Sequence, residues 1–421
     1  MSLASAIKQH AWEVGFDLVG VAPASAAEDL EFLPAWRNKG YGGEMHYLAD
    51  RRREDPRRVL PSVKSIICVG LIYNAPYPYS TEIAGQAEGE ALMTSGSAVR
   101  EMAGPRAWVS RYAWGRDYHA IMRGKFERLR AILNQLAPGV ETRVYVDTGP
   151  VVERAFARLS GIGWMGKNTC LIHEQKGSWF FLGVILTNLE LESDVPAPDR
   201  CGSCTRCLEA CPTGALVEPY VMDASRCISY FNIELRGAIP EEFRKAMGNN
   251  VFGCDICQDV CPWNNRPLSM AVGPLPRATK PGLQSDPESA RRNAATTEAP
   301  EFQPMQVVVE PREAPDHRPW EVGTVDQAST TATFSLFNPP LEALASISEE
   351  DFRRIFAPSP IKRAKYRGWL RNLCVAMGNS SDSRFIPWLE GAAAHPDPVV
   401  REHAEWALRM LRGGSTLRNH A

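Results

Sequence analysis

The sequence predicts an α+β protein in three parts, and three observations predict it. Over residues 1–195, apolar runs of strand length alternate with stretches of helical period; eight cysteines then crowd into 201–261; from about 340 the pattern is helical. With 44% hydrophobic residues, a chain of 421 can bury sizeable cores without disulfide staples. The formal charge of −2 excludes a uniformly basic nucleic-acid binder, so any such contact must be local.

In chain order, the first part reads as a helix near 3–15, a strand at 65–73, an exposed Gly/Ser/Ala/Glu-rich insertion at 80–105 and a helix near 117–136. The strand TRVYVD at 142–147, a helix from Pro150 to about 160 and a strand at 179–187 follow. The first twenty residues carry Lys8, His10, Glu13 and Asp17 and lack an apolar leader core, so a cytoplasmic protein is expected. The runs SIICVGLIY and WFFLGVIL fall short of the roughly 18 residues a membrane helix needs, and no membrane partner is expected. Residues 196–265 hold the cysteines, and 266–339 reads as a Pro/Ser/Thr-rich linker or long loop. In 340–421, Asp397 before Pro398 caps an amphipathic run and Asp382 caps the helix before it. Three or four short helices there suggest HEAT-like repeats. A monomer is expected, its helical end capped by its own last helix.

The cysteines carry the chemistry. Cys201, Cys204 and Cys207 are spaced C-x-x-C-x-x-C, Cys211 follows after three residues, and Pro212 comes next, the bacterial ferredoxin run. Cys254, Cys257, Cys261 and Pro262 repeat the ending, but 26 residues separate Cys227 from Cys254, so a loop interrupts the second motif. Three cysteines on one tight loop hold three corners of a cubane, and the fourth, turned away by the proline, reaches the other cluster. Cys201, Cys204, Cys207 and Cys261 are thus assigned to one [4Fe-4S] cluster, and Cys211, Cys227, Cys254 and Cys257 to another. Paired zinc knuckles are the competing reading, but zinc ribbons present separated pairs, not a triple followed by C-P. Cys68, Cys170 and Cys374 lack ligand spacing and read as small buried residues.

Around this array the chain resembles the epoxyqueuosine reductase family. The resemblance rests on SRYAWGRDYH at 110–119, VDTGPVVERAFARLSGIGWMGKN at 146–168, both cysteine runs, SPIKRAKYRGWLRN at 359–372 and DPVVREHAEWAL at 397–408. It implies that 1–195 is an α/β cobalamin-binding reductase domain and that the two-[4Fe-4S] module charges a corrin from a ferredoxin or flavodoxin-type donor. The resemblance further implies that the product is queuosine at the wobble position of tRNA. A D-x-H-x-x-G motif is absent, since Met122 stands where glycine belongs after Asp117 and His119, so base-off cobalamin is expected. Asp147, which ends a strand before Thr148, Gly149 and Pro150, matches the family's proton donor. A helix N-terminus lowers a carboxyl pKa and burial raises it, and a general acid at neutral pH needs burial to win. Tyr112, His119, Asn168 and Thr169 fall in the matching motifs and are candidates for the corrin or substrate pocket, with Arg57, Ile228, Ser229 and Tyr230 as further corrin contacts.

Lys362, Arg363, Lys365, Arg367 and Arg371 form a basic run without an acid, interleaved with Tyr366 and Trp369. Cations in the opening turns of a helix oppose its dipole, and phosphate of a tRNA anticodon stem-loop is the expected partner. A corrinoid reductive dehalogenase and a non-catalytic electron-transfer subunit are the alternatives; cobalamin content separates the second from both enzymes.

Overall fold

The computed structural model describes residues 2–25, 28–83, 104–265, 295–309 and 332–413. Helix α1 (Leu3–Val14) starts at Ser2, whose Oγ accepts the Ser5 N–H, and stops at Gly15 in the left-handed conformation. Strands β1 (Leu18–Pro23), β2 (Ser65–Ile72), β3 (Thr142–Tyr145) and β4 (Phe180–Thr187) form one sheet in the order β1-β2-β4-β3. Every pairing in it is antiparallel, which corrects the α/β expectation for this part to α+β. β1 was not foreseen: its six residues follow α1 so closely that they read as an extension of one amphipathic stretch.

β2 is buried along its whole length because helices cover both faces of the sheet. Ile67, Val69 and Leu71 share a core with Ile7 and Ala11 of α1 and with Phe126 and Leu129 of α2 (Tyr118–Leu136). Ile66, Cys68 and Ile72 share the opposite core with Ala155 and Phe156 of α3 (Glu153–Leu159). Truncating a side chain such as Leu129, which is wholly buried, to alanine costs about 2–5 kcal/mol.

Residues 84–103, most of the expected insertion, lie outside the described residues. The linker reading of 266–339 is corrected where the chain is described. Gln306–Val309 pairs antiparallel with Ala332–Ser335, and Val307, Val309, Phe334 and Leu336 enter a core with Trp108 and Trp114. Few apolar residues suffice there because alternate positions all point inward.

At the C-terminal end, α4 (Lys365–Asn379) is buried from Gly368 through Gly378 and packs on α6 (Pro398–Gly413), which in turn packs on α5 (Ile386–Ala393). Asp397 caps α6 by accepting the Val399 N–H at 2.8 Å, as expected. Asp382 caps the short 3-10 turn Ser383–Phe385 ahead of α5. Trp369 and Leu373 of α4 share one core with Ile228 and Phe231, which belong to the loop between Cys227 and Cys254. Asn372 Nδ2 donates to the carbonyls of Asn232 and Val251 at 2.8 and 2.9 Å. The 26-residue interruption of the cysteine motif therefore serves as the seat of the C-terminal helices. Among the described residues no helix is long and apolar enough to cross a membrane.

Candidate active site

The cysteine loops are braced from the sheet side. Asp255, between Cys254 and Cys257, accepts from Trp108 Nε1 at 3.1 Å, Ser110 Oγ at 2.5 Å and the Arg111 N–H at 2.8 Å. Arg111 is itself buried, donating to the carbonyls of Ala75, Tyr77 and Pro78 with its guanidinium 4.5 Å from the Trp114 ring centre. Asn168, 3% exposed, donates to the Cys257 carbonyl at 3.0 Å and accepts the Cys170 N–H. Ser110, Arg111 and Asn168 of the 110–119 and 146–168 motifs thus hold the second cysteine loop in place.

Cys201, Cys204, Cys207 and Cys261 wall one cavity of about 210 Å³, closed by Ile172 and Trp263. Burial pushes the Cys261 thiol up to about 12, with Cys201 and Cys207 beside it adding to the rise. The other four also converge. Burial raises Cys227, with Cys211 near; it raises Cys254, with Cys227 near; and Cys257 is raised by its bond to Cys170, by burial and by Cys254 and Cys227. Crowded sulfurs of this kind are poor thiolates alone and are matched by cationic iron. Backbone N–H groups aim at the sulfurs, as Ala215 N–H does at Cys211 Sγ, 3.3 Å away, the contact that tunes cluster potentials. Among the described residues no three His, Cys, Asp or Glu close on the single point a lone ion needs, whereas a four-sulfur cavity fits a cubane. Cys170 is half-buried and lies against Cys257, which corrects its reading as a merely packed residue.

Asp147 sits just past β3 with φ 57°, in left-handed backbone, and Gly149 follows where a Cβ would lie 2.2 Å from the Tyr145 ring. Its side chain is 47% exposed, with Oδ2 3.1 Å from Arg363 Nη1 and 3.6 Å from His119 Nε2. His119 Nδ1 lies 2.7 Å from Asp117 Oδ1, and Lys362 Nζ lies 2.7 Å from Asp117 Oδ2. Arg363 Nε reaches Glu234 Oε1 at 2.7 Å. Glu234 ends the wide π-helical turn Tyr230–Glu234 within the interrupting loop. Four stretches distant in sequence thus meet in one chain of alternating charge.

The electrostatics correct the expectation for Asp147. Protein crowding pushes its carboxyl up, but the His119 bond, the Arg363 charge and the Tyr118 hydroxyl outweigh it and hold the group down at about 2. Burial pulls His119 down, while Asp117 and Asp147 win and lift it to about 9. At neutral pH the proton of this pair rests on the imidazole. Asp117 engages Nδ1 of His119, while Nε2 faces Asp147 Oδ2 at 3.6 Å and has no hydrogen-bond partner among the described residues.

Tyr112 packs against Phe252 and Tyr118, and its hydroxyl is raised by burial. Ile228 is buried; Ser229 hydrogen-bonds the Cys227 sulfur; Tyr230 accepts the Glu44 N–H at its hydroxyl. Thr169, also in left-handed backbone, offers its carbonyl to Arg154. Arg57 is a surface residue paired with Asp55 at 2.9 Å. Arg371 corrects the basic-run reading outright: it is 1% exposed and donates to the carbonyls of Phe231, Leu235 and Gly237. Arg367 pairs with Asp397 and the Arg236 carbonyl, whereas Lys365 is exposed with no ion-pair partner among the described residues. Glu234 and Tyr118 were missed, since single residues without spacing leave no signal in one sequence.

Eight cysteines in two groups, joined through one loop to a proton-holding cluster of charge, define an iron–sulfur oxidoreductase. Residues 200–264 match the family model described as a 4Fe-4S double cluster binding domain, and 53–148 match "Epoxyqueuosine reductase QueG, DUF1730". The chain belongs to the epoxyqueuosine reductase family: it is 35% identical to the epoxyqueuosine reductase of Xanthomonas campestris pv. campestris over 96% of its own length and 95% of that protein's. Its identity to that of Pseudomonas aeruginosa is 37%, over 98% and 95%. The fold resembles a crystallised epoxyqueuosine reductase bound to an epoxyqueuosine-modified tRNA-Tyr stem loop, with TM-score 0.72, 28% identity and coverage of 97% and 90%. It also resembles the Bacillus subtilis enzyme with its catalytic aspartate loop swung out of the active site, with TM-score 0.71 and 28% identity over 97% and 90%.

Proposed function

We propose that this protein reduces epoxyqueuosine to queuosine in tRNA, with Asp147 as proton donor and two [4Fe-4S] clusters as the electron path. The observation that carries this reading is the convergence of Asp147, His119, Arg363 and Glu234 beside the loop that follows Cys227. A non-catalytic electron carrier has no use for such a cluster. The reaction takes two electrons and two protons, breaks both epoxide C–O bonds, leaves a carbon–carbon double bond and releases the oxygen as water. Base-off cobalamin, when bound, supplies a strongly nucleophilic reduced cobalt. Tyr112 and, in the loop after Cys227, Ile228, Ser229 and Tyr230 are the residues that would hold the corrin.

His119 stores a proton at neutral pH and lies next to Asp147, which passes it to the leaving oxygen once substrate displaces part of the Arg363 contact. Arg363 orients the carboxyl, and Lys362, Lys365 and Arg367 on the rim meet stem-loop phosphates. The C-terminal helices, HEAT-like in packing, supply that rim, and a ferredoxin or flavodoxin-type donor reduces the clusters. The test is an anaerobic assay of the reconstituted protein with cobalamin and a strong reductant on an epoxyqueuosine stem-loop. Loss of one oxygen from the nucleoside, dependent on cobalamin, supports the reading; no conversion with full iron and bound corrin overturns it.

A further inference from the structure

Lys167 and Asn168 are neighbours in the chain, yet they reach different cysteine groups. Asn168 donates to the Cys257 carbonyl, whereas Lys167 Nζ donates to the carbonyls of Gly202 at 2.6 Å and Cys204 at 3.0 Å, inside the loop that carries Cys201, Cys204 and Cys207. Lys167 also lines the cavity that these three cysteines share with Cys261. Its backbone is fixed against the same loop. The Tyr220 N–H donates to the Lys167 carbonyl at 3.1 Å, and the Tyr220 hydroxyl donates to Asp199, whose other oxygen accepts the Cys201 N–H at 2.7 Å. Charges around the loop are balanced except at Lys167. Arg200, on the same cavity, pairs with Glu174 at 3.3 Å, and Asp199 is taken up by its two donors. The partners of the Lys167 ammonium are two uncharged carbonyls and, among the described residues, no carboxylate lies within ion-pair distance of it.

We propose that Lys167 raises the reduction potential of the cluster held by Cys201, Cys204, Cys207 and Cys261, and so fits that cluster to take electrons from the external donor. The proposal rests on these four cysteines holding a cubane. A cubane with four thiolates carries net negative charge, and that charge grows when an electron is added. A fixed cation at the cavity wall therefore stabilises the reduced form more than the oxidised one. The two carbonyl bonds keep the ammonium at the loop instead of letting a flexible side chain swing into water. Position along the electron path agrees with this role. Gly202, Ser203, Thr205 and Arg206, between and beside the first three cysteines, are exposed, whereas Asp255, between Cys254 and Cys257, is buried. The Cys201 group is thus the one a donor reaches from solvent, and the lysine stands at that group alone.

The test is an anaerobic redox titration of the full chain with both clusters, followed by electron paramagnetic resonance, on wild type, Lys167→Gln and Lys167→Arg. Lys167→Gln keeps a donor for the carbonyls and removes the charge; Lys167→Arg keeps the charge. The component to watch is the one that Cys261→Ser perturbs, and the other component is the internal control. At a fixed potential, Lys167→Gln lowers the ratio of reduced to oxidised cluster about tenfold, which for one electron is a midpoint lower by about 59 mV. Lys167→Arg stays within about twofold of wild type, and the control component moves much less in either variant. Iron content is unchanged in both. A wild-type midpoint in Lys167→Gln, an equal shift of both components, or the same shift in Lys167→Arg overturns the proposal. Loss of iron from this cluster in Lys167→Gln also overturns it, since the lysine is then a brace for the loop. Failure of the underlying reading looks different: wild type itself then shows no [4Fe-4S] signal that Cys261→Ser alters.

Discussion

Arg363 Nη1 lies 3.1 Å from Asp147 Oδ2, and the same guanidinium reaches Glu234 with Nε at 2.7 Å. One cation from the turn before α4 thus ties a residue of the reductase sheet to one of the cysteine-motif loop. Breaking this tie isolates its chemical role. Arg363→Gln leaves Glu234 and Asp147 without their shared cation, so the Asp147 carboxyl moves up from about 2 toward its ordinary value. We expect kcat to fall about 10- to 100-fold through lost orientation, with iron content unchanged and the acid limb of the pH–rate profile moved upward. An unaltered profile and rate contradict the assigned role. Asp147→Asn, which keeps shape and removes the acid, should lose about 10²-fold or more in kcat while retaining both clusters.

His119 gives a pH signature of the opposite sign. Its folded-state value of about 9 stands above the ordinary 6.5, so its contribution to stability is complete below pH 6.5 and disappears as pH rises through 9. For a side chain 21% exposed this amounts to about 2 kcal/mol. Urea midpoints of wild type should fall between pH 6.5 and 9, whereas those of His119→Gln should stay flat over that window. Asp147 contributes at the other extreme, its stabilisation being present above about pH 4 and lost toward pH 2.

What the sequence discloses depends on how local the physics is. The cysteine run was legible because ligand spacing on one loop is local, and Cys201, Cys204, Cys207 and Cys261 wall one cavity. β2 was legible because a strand covered on both faces is apolar throughout. Arg371 was not, because a guanidinium wanting phosphate and one wanting three buried carbonyls are the same letter in the same basic run. Glu234 acts through a partner brought from more than a hundred residues away and leaves no pattern.

The basic run therefore divides into residues of opposite consequence. Arg371→Ala removes a buried cation whose carbonyl partners cannot reach water, and should cost about 3–5 kcal/mol in thermal or urea unfolding. RNA binding by the folded fraction should keep its salt dependence. Lys365→Ala should leave the melting temperature unchanged and weaken stem-loop binding, with the slope of log Kd against log salt reduced by about one. If Arg371→Ala instead changes only the salt slope, the division is wrong.

The crossed pairing of cysteines makes a distinctive spectroscopic prediction. Cys261 lies 50 residues beyond Cys211 in the chain, yet it shares its cavity with Cys201, Cys204 and Cys207, while Cys211 neighbours Cys227. Cys204→Ser and Cys261→Ser should therefore perturb the same component of the reduced electron paramagnetic resonance spectrum. Cys211→Ser and Cys254→Ser should perturb the other, although Cys211 lies in the same short run as Cys204 and Cys254 in the same run as Cys261. Each change should reduce iron content by up to half. Uncrossed pairing predicts instead that Cys204→Ser matches Cys211→Ser, so four spectra decide between the two arrangements. The component lost with Cys254 should be the one whose loss abolishes turnover under a one-electron donor, because the loop after Cys227 carries Glu234 to the charged cluster around Asp147.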